Sequence, residues 1–402
     1  MINSKSLLNV PARRFSASSS IFKGQSVAEL LKTAAIYKAS QTDIVLEKGE
    51  ALTNVSYRLM GKKLTNSIIE NTGGKIFTSG PTIKTLIVDT DKFYIKNDVW
   101  SAANFVMEGI ENDDVEKFDY AKDFLIETLG RCCKTRPYSH LAIKLTGLGH
   151  MEMFVKANKA QDLLLNGLFK TYSTKREGER PILTKDSFKQ FLNDNHIEFT
   201  ETEVDEFFTI AKFADSEFSK EEIGEIEFYE NVHAYYVHSD THKSGLIRKI
   251  CAYAGINKST NDALDRCCKR VLEIVEKASM QKTKLLVDAE QSYIQATLDS
   301  LTRQIQSHYH KDQEAFVLNG YQSYLVSSPE HVKLEIERCK RANISTGIKL
   351  VRGAYMGEER RLAQSLKYQS PVWDTIEQTH EAYNTNMRNI LKNLDPERGK
   401  DV

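Results

Sequence analysis

Short apolar runs alternate with helical stretches along most of this sequence, and this order predicts an α/β fold with a parallel sheet covered by helices. Three observations support the prediction. Five apolar runs of strand length recur along the chain, stretches of helical periodicity separate most of them, and the runs are almost continuously apolar. Strands that are buried on both faces have that last property. On this pattern alone, a barrel and an open doubly wound sheet fit equally well.

The elements are predicted in the following order. Two amphipathic helices come first, at 26–38 and 56–70, and the first begins with a capping-box pair at Ser26 and Glu29. A helix then carries apolar residues from Val115 to Leu129, and the last helix carries them from Val372 to Leu394. The five predicted strands are Phe105–Met107, Leu141–Leu145, Leu285–Val287, Ala315–Leu318 and Ile348–Val351.

Length, charge and cysteine content limit the possible classes of protein. A chain of 402 residues suggests two or three domains at about 150 residues each. Lysine plus arginine number 55, as do aspartate plus glutamate, so no general attraction to nucleic acid is expected. No stretch approaches the roughly 20 uncharged residues of a membrane span. Six cysteines without metal-ligand spacing predict a reducing compartment and no metal site.

The amino terminus predicts a mitochondrial location. Residues 1–28 contain four basic residues, seven serines and no acidic residue. This composition is typical of a mitochondrial transit peptide, which we assign to residues 1–25. The alternative is a disordered basic tail.

Residues 151–282 interrupt the alternation and predict a charged helical insertion. Within it, Ser219–Glu230 can be aligned with an EF-hand calcium loop, with Gly224 at the turn, Ile226 at the apolar eighth position and Glu230 as the bidentate ligand. Ser219 and Ile223 are poor ligands at their positions. We therefore interpret the segment as a degenerate EF-hand-like helix-loop-helix, and packing is favoured over calcium binding.

Charged residues inside or beside the apolar strands are the candidate catalytic or binding residues. Lys144 lies within the second predicted strand, Asp288 ends the third, and Lys349 and Arg352 flank the fifth. A charge in such a strand is costly unless a partner or ligand receives it. In a barrel, these residues would converge at the carboxyl ends of the strands, where sites are built. The alternative is an internal salt-bridge network without a function.

Four motifs, in this order, resemble those of the proline dehydrogenase family, and the likeness spans roughly residues 50–400. They are Ile143–Gly149 (IKLTGLG), Leu286–Tyr293 (LVDAEQSY), Asn319–Leu325 (NGYQSYL) and Lys349–Tyr355 (KLVRGAY). The resemblance implies a (β/α)8 TIM barrel, here incomplete with about five βα units. It also implies a domain order of 26–150 for the helical arm and first two strands, 151–282 for the insertion, and 283–402 for strands three to five.

The resemblance further implies an activity: oxidation of L-proline to 1-pyrroline-5-carboxylate by FAD, with electrons passed to quinone. The expected location is the matrix side of the inner mitochondrial membrane, with peripheral membrane contact. Asp288 and Lys349 would be catalytic, and Lys144 and Tyr355 would bind the substrate. The expected cofactor-binding residues are Ala289, Gln322, Lys349, Val351, Arg352, Gly353 and Ala354.

Two departures from the family pattern lead to further expectations. Asn104–Phe105 stands where the family usually has Asp-Tyr, and the chain ends at Val402, before the family's later strands. We therefore expect a truncated chain. Two alternatives remain open: a hydroxyproline dehydrogenase of the same family, and a non-catalytic helix-loop-helix scaffold on an incomplete barrel that responds to calcium.

Overall fold

The computed structural model describes residues 102–104, 114–135, 139–175, 178–237, 244–311 and 314–393, along with 55–61, 64–65 and positions 27, 31, 34 and 38. The chain divides into two compact units, Met1–Val99 and Trp100–Val402. The predicted transit peptide, the predicted strand Phe105–Met107 and the chain end beyond residue 393 lie outside the described residues.

In the first unit, the described residues are helical where the sequence predicts helices. Positions 27, 31, 34 and 38 belong to the predicted helix 26–38, and 55–60, 64 and 65 are also helical. The buried Thr65 hydroxyl donates to the Ser56 carbonyl at 3.0 Å.

The second unit contains all the strands that the structure describes. In chain order they are β1 Ala102–Asn104, β2 His140–Ile143, β3 Ile182–Thr184, β4 Glu222–Gly224, β5 Lys284–Val287, β6 Val317–Gln322 and β7 Ile348–Val351. The helices are α1 Val115–Thr135, α2 Met151–Asp162, α3 Lys185–Asp194, α4 Glu201–Ile210, α5 Glu225–Asn231, α6 Gly245–Tyr253, α7 Lys258–Met280, α8 Ser292–Tyr309, α9 Ser328–Arg341, α10 Met356–Leu366 and α11 Ile376–Lys392.

The main sheet has five parallel strands in the order β1-β2-β5-β6-β7. The strands of this sheet therefore lie side by side in the order in which they occur along the chain, as in the predicted series of βα units. This confirms the α/β fold class and the five units. Within the described residues the sheet is open, with β1 and β7 at its edges.

The bounds of β2 and β6 differ most from the predicted ones, and β5 begins one residue earlier than predicted. Strand β2 ends at Ile143, because the chain turns into a 3-10 helix, Leu145–Gly147, and Lys144 precedes that turn in extended conformation. Strand β6 begins two residues later than predicted and continues to Gln322, which pairs with Val351 of β7. Strand β7 coincides with the predicted run.

One face of the sheet packs against helices. Leu141, Ile143, Leu285 and Val287 share a core with α1, α2, α7 and α8. On the same face of the later strands, Tyr321 and Leu350 pack with residues of α9 and α11. Because successive residues of a strand point to opposite faces, the intervening positions point away from these helices. Lys144, Asp288, Gln322 and Lys349 occupy such positions.

The insertion has a hydrophobic core of its own, which runs from Ala160 to Ile256. Its centre is aromatic, with the Phe188 and Phe207 rings stacked at a centroid distance of 4.3 Å. The short antiparallel strands β3 and β4 join its two helix-loop-helix halves. Helices α2 and α7, at the ends of the predicted insertion 151–282, contribute mainly to the core under the main sheet. The predicted domain boundaries remain a prediction.

The proposed calcium ligand is already engaged in an ion pair. Gly224 ends β4, so that Ile226 and Glu230 both lie on helix α5. The Glu230 carboxylate accepts a hydrogen bond from Arg338 at 2.7 Å. This contact supports the interpretation that the segment packs rather than binds calcium. In the described parts of the chain, no cluster of three His, Cys, Asp or Glu side chains is placed to hold a metal ion.

None of the described helices combines the length and the apolar character needed to cross a membrane.

Candidate functional site

The predicted site residues lie together at the carboxyl ends of the parallel strands. Lys144 follows β2 directly, and Asp288 follows β5, where its backbone N–H donates to the Ile143 carbonyl at 2.9 Å. Gln322 is the last residue of β6, and Lys349 lies within β7. This edge of a parallel α/β sheet is where ligands usually bind.

Asp288 and Lys349 form a direct ion pair between the ends of β5 and β7. The Lys349 ammonium donates to Oδ1 of Asp288, and their side chains are only 15% and 25% exposed, respectively. A partly buried pair of this kind is screened less by solvent than a surface pair. The pair holds two predicted catalytic groups in one place, although the same contact would also exist in a purely structural network.

Lys144 and Tyr355, the predicted substrate-binding pair, also meet. The Lys144 ammonium donates to the Tyr355 hydroxyl at 3.3 Å and lies 5.9 Å from the centre of its ring. Burial and the nearby carboxyl groups of Glu290 and Asp288 raise the pKa of Tyr355 to about 12. The phenol is therefore protonated at neutral pH and presents a hydroxyl group beside a cation.

Gln322 joins three strand ends through its side-chain amide. Its Nε2 donates to the carbonyl of Glu290 at 2.7 Å, and its Oε1 accepts from the Ala354 N–H at 3.2 Å. The same region needs a glycine at position 320, since an added Cβ there would lie 2.6 Å from the Ala289 nitrogen. Hydrogen bonds thus join Glu290, Gln322 and Ala354 into one backbone frame, and the backbone of Ala289 lies close to Gly320 beside it.

After β7 ends, the chain continues as Arg352–Ala354, and the backbone of these three residues is exposed beside this frame. Gly353 has a φ of +141° in the region that favours glycine, and an added Cβ would lie 1.3 Å from the Tyr324 ring. The Arg352 side chain turns toward helix α11, where it donates to His380 at 3.2 Å and lies 4.4 Å from the Tyr383 ring centre. In this structure, therefore, only the backbone of Arg352 remains beside the frame.

The structure adds Thr146 and Glu290 to the predicted set. Glu290 is 3% exposed, and both of its carboxyl oxygens lie within 2.9 Å of the Thr146 hydroxyl. The signal for Glu290 was its spacing of two from Asp288, which is the repeat of one strand face. That repeat continues past the end of β5 into the loop, where Glu290 lies.

A flavin fits the residues at this edge in two respects. The backbone at Gly353 is exposed and free of a side chain, which is what close approach to a flat ring system requires. In addition, the Gln291 Oε1 is buried and has no hydrogen-bond partner within the described structure. Buried polar groups are normally satisfied, so this atom is available to a ligand.

Comparison with known proteins identifies the family. The family model for proline dehydrogenase matches residues 179–398, more than half of the chain. The mitochondrial proline dehydrogenase 1 of Dictyostelium discoideum is 24% identical over 378 residues, which cover 94% of this chain and 56% of that protein. The enzyme of the same name from Drosophila melanogaster is 39% identical over 126 residues, or 31% of this chain and 18% of that protein.

Of two further matches, one has a different enzyme name and the other a lower sequence identity. The hydroxyproline dehydrogenase of Xenopus laevis is 29% identical over 143 residues, covering 36% of this chain and 30% of that protein. The structure of proline utilization A from Bdellovibrio bacteriovorus, inactivated by N-propargylglycine, aligns with a TM-score of 0.48 at 14% identity over 94% of this chain and 31% of that chain. The chain spans little more than half the length of the D. discoideum protein and less of the others. On the family match, this chain belongs to the proline dehydrogenase family.

Proposed function

We propose that this chain provides the proline-binding and flavin-binding residues of an FAD-dependent enzyme that oxidises L-proline to 1-pyrroline-5-carboxylate. The observation that supports the proposal is the convergence of Lys144, Asp288, Gln322, Lys349 and Tyr355 at one strand edge. These residues come from four separate motifs and are up to 211 positions apart in sequence.

Lys144 and Tyr355 are the proposed binding pair for the substrate. The ammonium of Lys144 provides a positive charge for the carboxylate of the amino acid, and charge-assisted hydrogen bonds of this kind are the stronger ones. The Tyr355 ring, partly buried beside it, provides an apolar surface for the ring of proline. A cation next to an aromatic face thus matches both parts of a cyclic amino acid.

Asp288 and Lys349 are the proposed catalytic groups. Their ion pair holds the Lys349 ammonium at the open edge of the sheet. From there, the pair is able to orient polar atoms of the substrate or of the cofactor. The backbone of Ala289 and of Val351, Arg352, Gly353 and Ala354, with the Gln322 amide and Lys349, would hold the flavin. A flavin supplies the two-electron acceptor that oxidation of a C–N bond requires.

The proposal includes a mitochondrial location and a quinone acceptor. Relatives in three distant organisms are named as mitochondrial, and the acid-free, serine-rich amino terminus is typical of import into that organelle. Transfer to a lipid-soluble quinone would require peripheral contact with the inner membrane from the matrix side.

The test is an anaerobic visible spectrum of the purified chain, recorded before and after addition of L-proline. We expect a flavin absorption band that bleaches with proline. A chain that binds FAD but does not bleach would contradict the proposed activity. A colourless chain that cannot be reconstituted with FAD would contradict the proposed cofactor site.

A parallel titration with 4-hydroxy-L-proline tests the second candidate. The match to the X. laevis hydroxyproline dehydrogenase is the observation that favours it. Faster bleaching with hydroxyproline than with proline would support this substrate in place of proline.

A further inference from the structure

Glu359 is a buried acidic residue in the first turn of α10, four positions after Tyr355. Its side chain is 1% exposed. The preceding residue, Glu358, has a side chain that is 40% exposed and pairs with Arg361 on the surface. Burying a carboxyl group is costly unless hydrogen bonds compensate for the lost water, so the partners of Glu359 indicate what its burial achieves.

Both oxygens of the Glu359 carboxyl group are satisfied by one residue, Ser292, from another helix. The Ser292 backbone N–H donates to Oε1 at 2.6 Å, and the Ser292 hydroxyl donates to Oε2 at 2.6 Å. Ser292 is the first residue of α8, where backbone N–H groups have no acceptor within the helix. The residue before it, Gln291, makes no capping hydrogen bond with its side chain. Glu359 therefore caps α8 from outside that helix.

This contact joins two loops of the site that come from strands that are not neighbours. The loop before α8 contains Asp288 and follows β5, the loop before α10 contains Tyr355 and follows β7, and β6 lies between these strands. Gln322 of β6 joins the same two loops, because it donates to the Glu290 carbonyl and accepts from the Ala354 N–H. Two separate bridges thus hold the loops together.

The bridge through Glu359 leads directly to Tyr355. The Glu359 backbone N–H donates to the Tyr355 carbonyl at 3.0 Å and so closes the first turn of α10. Within that turn, an added Cβ at Gly357 would meet nothing within 4 Å, so packing at this position does not hold the turn. The side chain of Glu359 anchors the turn to α8, and the Tyr355 hydroxyl accepts from Lys144 at the other end of the residue.

We infer that Glu359 is a positioning residue, which by capping α8 fixes the placement of Tyr355 relative to Asp288 at the strand edge. This inference rests on the proposed function, in which Tyr355 contacts the ring of the substrate. Ordering a binding group before the ligand arrives strengthens binding, because the cost of ordering is not paid again on association.

The backbone proposed to hold the flavin is fixed in a different way. The Ser323 N–H donates to the Val351 carbonyl at 2.9 Å, and the Tyr324 N–H donates to the Arg352 carbonyl at 2.7 Å. These bonds connect the end of β6 to the chain around Gly353 and do not involve Glu359. Loss of the Glu359 carboxyl group should therefore affect the substrate more than the cofactor.

Steady-state kinetics test the positioning role. In Glu359→Ala we expect KM for L-proline to rise about tenfold, the scale of one lost charge-assisted hydrogen bond, with kcat changed less than about threefold and flavin content unchanged. Ser292→Ala removes one of the two hydrogen bonds and should raise KM about threefold. Glu358→Ala is the matched control, because it removes a neighbouring glutamate of the same turn whose partner is exposed, and its KM should not change.

The conservative variant Glu359→Gln provides the rescue. Its Oε1 is able to accept from the Ser292 N–H, and its amide group is able to donate to the Ser292 hydroxyl, which accepts as well as donates. We expect its KM to stay within about threefold of the unmodified chain. Three results would overturn the positioning role: an unchanged KM in Glu359→Ala, a loss of kcat and flavin at constant KM, or a Glu359→Gln variant as impaired as Glu359→Ala.

Hydrogen exchange followed by mass spectrometry gives a readout that does not need turnover. Amides in the first turns of α8 and α10 should exchange about tenfold faster in Glu359→Ala, and at the unmodified rate in Glu358→Ala. Ser292→Ala retains Glu359 and provides the same comparison if Glu359→Ala does not fold. Equal exchange in all variants would overturn the proposed contact. Faster exchange in a chain that proline does not reduce would contradict the proposed function and leave the contact between α8 and α10 established.

Discussion

At the scale of single residues, two features of the sheet edge can be tested: the ion pair of Asp288 with Lys349 and the close packing of the backbone at Gly353. Asp288→Asn tests the ionic part, since it preserves the shape of the side chain and removes the charge that holds Lys349. We expect kcat/KM for L-proline to fall about 100-fold, which corresponds to about 2.7 kcal/mol of lost transition-state stabilisation. Steady-state assays with an artificial electron acceptor provide the measurement.

The matched control for this variant is Asp374→Asn. Asp374 is exposed and accepts from Arg360 only through its backbone carbonyl, which the substitution retains. Its kinetics should stay within about twofold of the unmodified chain, because isolated surface changes have small effects. Equal losses in both variants would count against a special role for Asp288.

Gly353 tests the backbone constraint. Gly353→Ala places a methyl group 1.3 Å from the Tyr324 ring at a φ of +141°, so we expect a loss of about 1–3 kcal/mol in stability and reduced flavin content. Gly357→Ala is the control, because an added Cβ there meets nothing within 4 Å. Thermal unfolding followed by circular dichroism measures both. Similar midpoints for the two variants would contradict the close packing at Gly353.

At the scale of elements, a buried ion-pair network joins helix α5 of the insertion to helix α9. Arg338 of α9 is fully buried and donates to Glu230 of α5 at 2.7 Å and to Glu335 at 2.6 Å. Arg338→Met would leave buried carboxylates without their partner, at a cost of about 3–5 kcal/mol in the free energy of unfolding. Arg361→Met removes the exposed pair with Glu358 and should cost less than about 1 kcal/mol. Chemical denaturation of both variants would show the difference.

The same network predicts a loss of stability in acid. Burial raises the pKa of Glu335, but Arg338, Arg303 and Cys339 together lower it by more, so the net pKa lies below the ordinary value. A depressed pKa means that this contribution is fully present above the unfolded pKa of about 4.3 and is lost as pH falls through the folded value. Unfolding free energies measured from pH 6 to pH 3 should fall less steeply in Glu335→Gln than in the unmodified chain.

The strands and their order were predictable from the sequence, whereas several boundaries were not. Ile348–Val351 was predicted to the residue, because apolar alternation and a following glycine define it locally. Lys144 was placed inside a strand, although the strand ends one residue earlier. The reason is that Leu145 and Thr146 continue the strand-like pattern, while the 3-10 turn depends on the contact of Thr146 with Glu290.

At the scale of the whole molecule, the insertion should not respond to calcium. Glu230, at the bidentate position of the loop alignment, is engaged by Arg338. We expect the unfolding midpoint to remain unchanged when calcium is added to about 1 mM, since a ligand that binds the native state would raise it. A rise in the midpoint that EDTA reverses would restore the calcium-responsive scaffold as an explanation.

Apolar periodicity, motif order and the residue types at strand ends determined the α/β class, the five parallel units, the family and the candidate residues of the site. Those properties are local, because each depends on residues close together in the sequence. The tertiary structure alone decided which charges become partners: Lys349 with Asp288, Lys144 with Tyr355, and Glu230 with Arg338. It also revealed Glu290 and Thr146, which are 144 positions apart. A hydrogen bond requires atoms within about 3 Å, and only the packed fold sets that distance.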